Sequence, residues 1–179
     1  IELYEEVVVV LDESGTDSQL LQQLTAAYFY IGNSYDSLYQ PNVTDPENLH
    51  ILEEAIRYYH LASEKSPTQS LRDLSRQYLV STFGSDKAND PSRAEPVLRE
   101  MILEDPENPD NYFRLAQLYE ESGLYQEATA VYEAVLEFQG NDPTVHQQIA
   151  GFYNRAGEFE LTMEALEEAA RLDSDNPEA

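Results

Sequence analysis

Three histidines, four neighbouring glutamate pairs and one acidic loop are the residues whose types could support chemistry in this chain. His50, His60 and His146 could ligate a metal or carry protons. A helical metal pair needs ligands one turn apart on a shared face, and no two of these histidines stand at i, i+4. Glu5-Glu6, Glu53-Glu54, Glu120-Glu121 and Glu167-Glu168 set carboxylates side by side. Acid–base catalysis needs carboxylates that converge on one substrate atom, whereas adjacent helical residues diverge. These pairs read as solvated faces. Asp12-Glu13-Ser14-Gly15-Thr16-Asp17 has calcium-loop composition, but its glycine is misplaced and its twelfth position is Gln23 instead of a bidentate glutamate. The absence of cysteine removes disulfides, thiolate metal sites and thiol nucleophiles together. Nucleophile-elbow, phosphate-loop, zincin and dinucleotide fingerprints are also absent. No catalytic residue, metal ligand or cofactor is assigned, and the chain is expected not to be an enzyme.

Charge narrows the partner classes. Across 179 residues, 35 acidic side chains face 10 basic ones, for a formal net charge of −25. Nucleic acid and anionic membrane surfaces need clustered cations, so neither is expected as a partner. A basic partner fits this charge, and so does salt adaptation, in which acidity serves solubility alone. Hydrophobic residues make up 41% of the chain, enough to build a core. No apolar run approaches the roughly 20 residues that span a bilayer, and Val7–Leu11 is the longest compact one. No signal peptide is visible, the chain begins at Ile1, and Asn42-Val43-Thr44 is a glycosylation sequon with meaning only in a secreted eukaryotic protein. A soluble protein of cytoplasm, periplasm or cell envelope is expected, without a choice among them.

The elements that must position any site come from a repeat. Asn108-Pro109, Asp142-Pro143 and Asn176-Pro177 recur every 34 residues, and Gly123 and Gly157 share that spacing. Tyr112, Leu115, Leu118 and Tyr119 form one helical apolar stripe, and Tyr125, Ala128, Val131, Tyr132, Val135 and Leu136 form a second. Each proline suits the first helical turn, where no N–H is required, and each glycine suits a left-handed turn between helices. A single helix hairpin cannot bury both its faces, but stacked hairpins can.

These residues resemble the tetratricopeptide repeat family. Over 109–142 the pattern of large, aliphatic, small and aromatic residues is supplied by Tyr112, Leu115, Ala116, Tyr119, Ala128, Tyr132 and Val135, with Gly140 where proline is usual. Over 143–176 it is supplied by His146, Ile149, Ala150, Tyr153, Thr162, Leu166 and Ala169, with Ser174 at the proline position. Upstream, Tyr28, Ile31, Gly32, Tyr35, Ala55, Tyr59, Ala62 and Pro67 match a unit over 19–67 with a long loop at 39–48. Leu71, Leu74, Ser75, Tyr78, Ala94, Leu98, Met101 and Pro106 match a unit over 68–106 with an extended loop at 84–92. Residues 1–14 read as a half unit, with Tyr4 and Val7 in place against the strand propensity of four consecutive valines. The resemblance implies an all-α, right-handed α-α superhelical solenoid of stacked antiparallel helix hairpins.

It also implies a protein- or peptide-binding scaffold whose concave groove is lined by the first helix of each unit. The corresponding positions are Phe29, Asn33 and Asp36, then Arg72 and Arg76, then Phe113, Gln117, Glu120 and Glu121, then Gln147, Asn154 and Arg155. Phe29 and Phe113 are expected as apolar anchors and Arg72 and Arg76 as polar orienters. Arg72, Arg76, Arg114 and Arg155 fall on first helices, either to meet a ligand or to pair with neighbouring carboxylates. The carboxylate clamp of some family members is incomplete, because Phe29 stands where its lysine belongs beside Asn33. Solenoids usually end in a polar capping helix, so self-association through uncapped ends, or a role as structural spacer, is the alternative expectation.

Overall fold

The structure is a computed structural model that describes residues 1, 4–6, 8–9 and 18–174. The acidic loop from Asp12 to Asp17, Val7, and the Asn176-Pro177 mark lie outside the described residues, as does part of the half unit over 1–14. Residues 4–6 and 8–9 are helical, so there helix prevails over the strand propensity of the valines. From residue 18 onward the described chain forms eight helices: α1 (Ser18–Leu38), α2 (Pro46–Lys65), α3 (Gln69–Thr82), α4 (Pro91–Glu104), α5 (Pro109–Glu121), α6 (Tyr125–Gln139), α7 (Pro143–Ala156) and α8 (Phe159–Ser174). The chain divides into two compact units after Met101.

In the first unit, α1 packs on α2, α2 on α3, and α1 also reaches α3. Helix α2 starts where the Asp45 carboxylate accepts the N–H groups of Glu47 and Asn48, with Pro46 in the first turn. The connection from α1 is shorter than the expected 39–48 loop, because α2 already begins at Pro46. Buried Asn48 fastens it: its amide nitrogen donates to the carbonyls of Gln40 at 2.9 Å and Val43 at 2.6 Å, and its oxygen accepts from the Gln40 N–H at 2.9 Å. Lys87 secures the α3–α4 connection by donating to both oxygens of Asp36, at 2.6 and 2.8 Å. The core is aromatic and tight. A Cβ on Gly32 would stand 2.9 Å from the Tyr59 ring, so the missing side chain is what lets α1 and α2 approach. Ala55, Tyr59, Ala62, Ala94, Leu98 and Met101 are buried as the repeat pattern requires, while Leu74 and Tyr78 stay partly exposed. Ser75 and Thr82 are buried with their hydroxyls satisfied by the carbonyls of Leu71 and Tyr78 one turn back.

In the second unit, α5 packs on α6, α6 meets α7, and α7 packs on α8. Asn108 and Asp142 cap α5 and α7 through the N–H groups of Asp110 and Thr144, each followed by proline. Gly123 and Gly157 adopt φ of 73° and 82°, the left-handed region that a side chain would strain. Leu115, Ala116, Tyr119, Ala128, Tyr132 and Val135 are all buried. In the last hairpin Ile149, Ala150 and Ala169 are buried, but Leu166 is exposed.

Candidate functional site

Helices α5 and α7 are the first helices of two successive hairpins, and their 34-residue offset sets comparable positions side by side. Between them opens a cleft of about 670 Å³, lined by Phe113, Gln117, Glu120, Glu121, Tyr125, Tyr132, Gln148, Gly151 and Arg155. Its charged centre is Glu120. Arg155 donates from Nε to Oε2 at 2.9 Å and from its terminal nitrogen to Oε1 at 3.1 Å, a two-point fork. The Tyr132 hydroxyl donates to the same Oε1 at 2.7 Å. Burial and then this hydrogen bond push the Tyr132 phenol well above its ordinary range, so it remains a protonated donor. The bond to Glu120 likewise raises Arg155. Beside them Gln117 donates to Glu121 at 2.9 Å.

The expected groove residues separate clearly. Phe113, Gln117 and Arg155 line the cleft, together with Glu120 and Glu121. Arg114, Gln147 and Asn154 are exposed but belong to other faces of their helices. In the first unit Phe29 is only 7% exposed, packed edge-on against Tyr78 at 5.2 Å and tilted on Tyr59 at 5.8 Å. It is a core residue instead of an exposed anchor, because α3 covers the face of α1 that carries it. Arg76 is also buried, at 5% exposure, and its guanidinium is 2.9 Å from Glu100 on α4. It ties α3 to α4. Arg72 and Asn33 are half-buried, and Asp36 is taken by Lys87.

Four lining residues were missed in the sequence. Gly151 lies 34 residues after Gln117, so the repeat spacing could have found it. Tyr132, a core position of the repeat pattern, is both core and wall. Tyr125 belongs to the second apolar stripe yet is 51% exposed, and Gln148 carries no separate signal. The histidines take other roles: His146 Nε2 lies 2.9 Å from the Gly140 carbonyl, and His60 pairs with Glu64 at 3.4 Å. Among the described residues, no cluster of histidine and carboxylate ligands is arranged around a metal position.

One stretch of the chain, from α4 through α5 and α6 into the first half of α7, resembles a known family. Residues 87–150 match the tetratricopeptide repeat model. Solved structures extend the likeness of fold to almost the whole chain. MamA MSR-1 aligns at 20% identity with TM-score 0.53, covering 97% of this chain and 88% of the other. MamA AMB-1 aligns at 19% with TM-score 0.54, covering 98% and 85%. A further MamA crystal structure aligns at 15% with TM-score 0.58, covering 98% and 90%. No curated protein matches the sequence. The likeness to these structures is one of fold, an all-α helical solenoid. No described helix is long and apolar enough to cross a membrane.

Proposed function

We propose that this chain is a binding module, not an enzyme, and that it holds a peptide segment of a protein partner in the cleft between α5 and α7. The observation that carries the reading is the cleft itself: about 670 Å³ of open volume, with an aromatic wall and polar groups converging from two successive first helices. Phe113 and Tyr125 offer apolar surface, while Gln117 and Glu121 offer hydrogen-bonding groups that fix orientation. Gly151 leaves the α7 wall open, since a Cβ there would meet only the Arg155 side chain, at 3.4 Å. The test is co-purification of partners by the wild type and by Gly151→Leu, which fills the cleft from its α7 wall. A partner retained by wild type and lost by the variant supports the reading. Identical partner sets would remove the cleft from it.

A second reading, self-association, is favoured by α8. Phe159, Met163 and Leu166 fall at i, i+4 and i+7 and are 68%, 56% and 43% exposed. An apolar stripe of this kind marks a contact surface when it is contiguous. Sedimentation of the wild type and of Met163→Glu across a concentration range tests it. A monomer mass at every concentration for both would set it aside.

A further inference from the structure

We infer that the partner segment enters the α5–α7 cleft with a basic side chain, lysine or arginine, seated against the aromatic wall beside Glu121. This rests on the peptide-binding reading above and names its chemistry.

The charges lining the cleft do not cancel. Two carboxylates, Glu120 and Glu121, face one guanidinium, Arg155. Both carboxylate oxygens of Glu120 already receive Arg155, and Oε1 also receives Tyr132, so its charge is matched where it stands. Glu121 is exposed, and its hydrogen bond comes from Gln117, an uncharged amide that leaves the full negative charge in the cleft. An acidic ligand group would be repelled there, and a neutral one would leave this carboxylate partly desolvated without compensation. A cation gains on two counts. It meets an opposite charge at Glu121, and it shares the cleft with the aromatic side chains of Phe113 and Tyr125, a residue type that attracts cations. The net charge of −25 acts earlier, raising the encounter rate of basic segments with the whole chain. That long-range field lacks specificity. The cleft adds it, because Gly151 leaves room for a side chain between α5 and α7.

The experiment selects random twelve-residue peptides against the full 179-residue chain. Selected peptides are then titrated by fluorescence anisotropy against wild type, Gly151→Leu, Glu121→Gln and Glu121→Lys, each checked by circular dichroism for an unchanged helical spectrum. The expected result is peptides enriched in lysine or arginine that lose binding to Gly151→Leu. The same peptides weaken severalfold on Glu121→Gln and at least about tenfold on Glu121→Lys, a step of one charge pair. Peptides that depend on Gly151 but carry no basic residue, and that ignore both Glu121 variants, would overturn the inference and leave the peptide-binding cleft standing. Basic peptides that bind Gly151→Leu as well as wild type would report only the general negative surface and overturn it too. If no selected peptide depends on Gly151, the cleft reading itself falls.

Discussion

Arg155 on α7 reaches back 35 residues to Glu120 on α5 and grips both oxygens of its carboxylate, at 2.9 and 3.1 Å. The pair ties two successive hairpins at the edge of the cleft. Glu120 is the enclosed partner, its side chain 10% exposed, while that of Arg155 is 59% exposed.

Arg155→Ala therefore leaves Glu120 with Tyr132 as its cleft-side donor. A charged hydrogen-bonded pair carries about 1.5–3 kcal/mol when sheltered, but the exposure of Arg155 screens it, so a loss of about 1 kcal/mol is expected. Urea unfolding of Arg155→Ala, Tyr132→Phe and the double variant checks this. A non-additive pair of effects is the sign that both act through Glu120.

Ala128 is fully buried where α6 faces its neighbours. Ala128→Leu inserts methylenes at a fully buried position and is expected to cost roughly 1–3 kcal/mol. Thermal unfolding reads this directly. An unchanged midpoint would contradict the repeat register over 109–142.

Arg76→Ala is expected to act on stability. The substitution removes the ion pair to Glu100 and the buried aliphatic stem together, at a cost of about 1–3 kcal/mol. Denaturant unfolding should shift its midpoint. A variant with wild-type stability would mean the guanidinium does not hold α3 to α4.

The buried phenols predict an alkaline limit. Tyr59 and Tyr132 both hold their protons above the ordinary value of 10.0, chiefly through burial, helped by Asp36 and Glu120 respectively. The unfolded chain therefore releases these protons first as pH rises. Their contribution is complete below the ordinary value and is lost as pH climbs past it toward the folded-state values. Urea midpoints should fall above about pH 10, and tyrosinate absorbance from these two rings should appear with unfolding. Tyr59→Phe should flatten the decline.

Much of the second unit was legible because its cues are local. Proline after Asn108 and Asp142 marks helix starts, and Gly123 and Gly157 mark left-handed turns; each depends on the backbone of a few adjacent residues. Of the repeat-pattern residues of 109–142, Leu115, Ala116, Tyr119, Ala128, Tyr132 and Val135 fell into the core, Tyr112 is half-buried, and Tyr125 of the second apolar stripe is 51% exposed. In the first unit the lengthened α1 and α2 blurred that punctuation, and the loops came out shorter than their proline and asparagine content implied.

The candidate site was legible only in part. Phe29 and Phe113 look alike in sequence, each an aromatic residue on a first helix. They part company because Tyr78 lies against Phe29, whereas Phe113 borders open volume. Burial of a phenyl ring stabilises by roughly 1.5–3 kcal/mol wherever a neighbour can cover it, so the neighbour decides the role.

By itself, the sequence determined the all-α repeat, the helix starts, the two left-handed glycines and the strongly acidic surface, since periodicity, caps and charge belong to short stretches of chain. Tertiary structure alone decided which carboxylate each arginine meets and which aromatic residue stays exposed. Arg76 finds Glu100 and Arg155 finds Glu120 across 24 and 35 residues. Such distances are closed by helix packing, and no local pattern records their outcome.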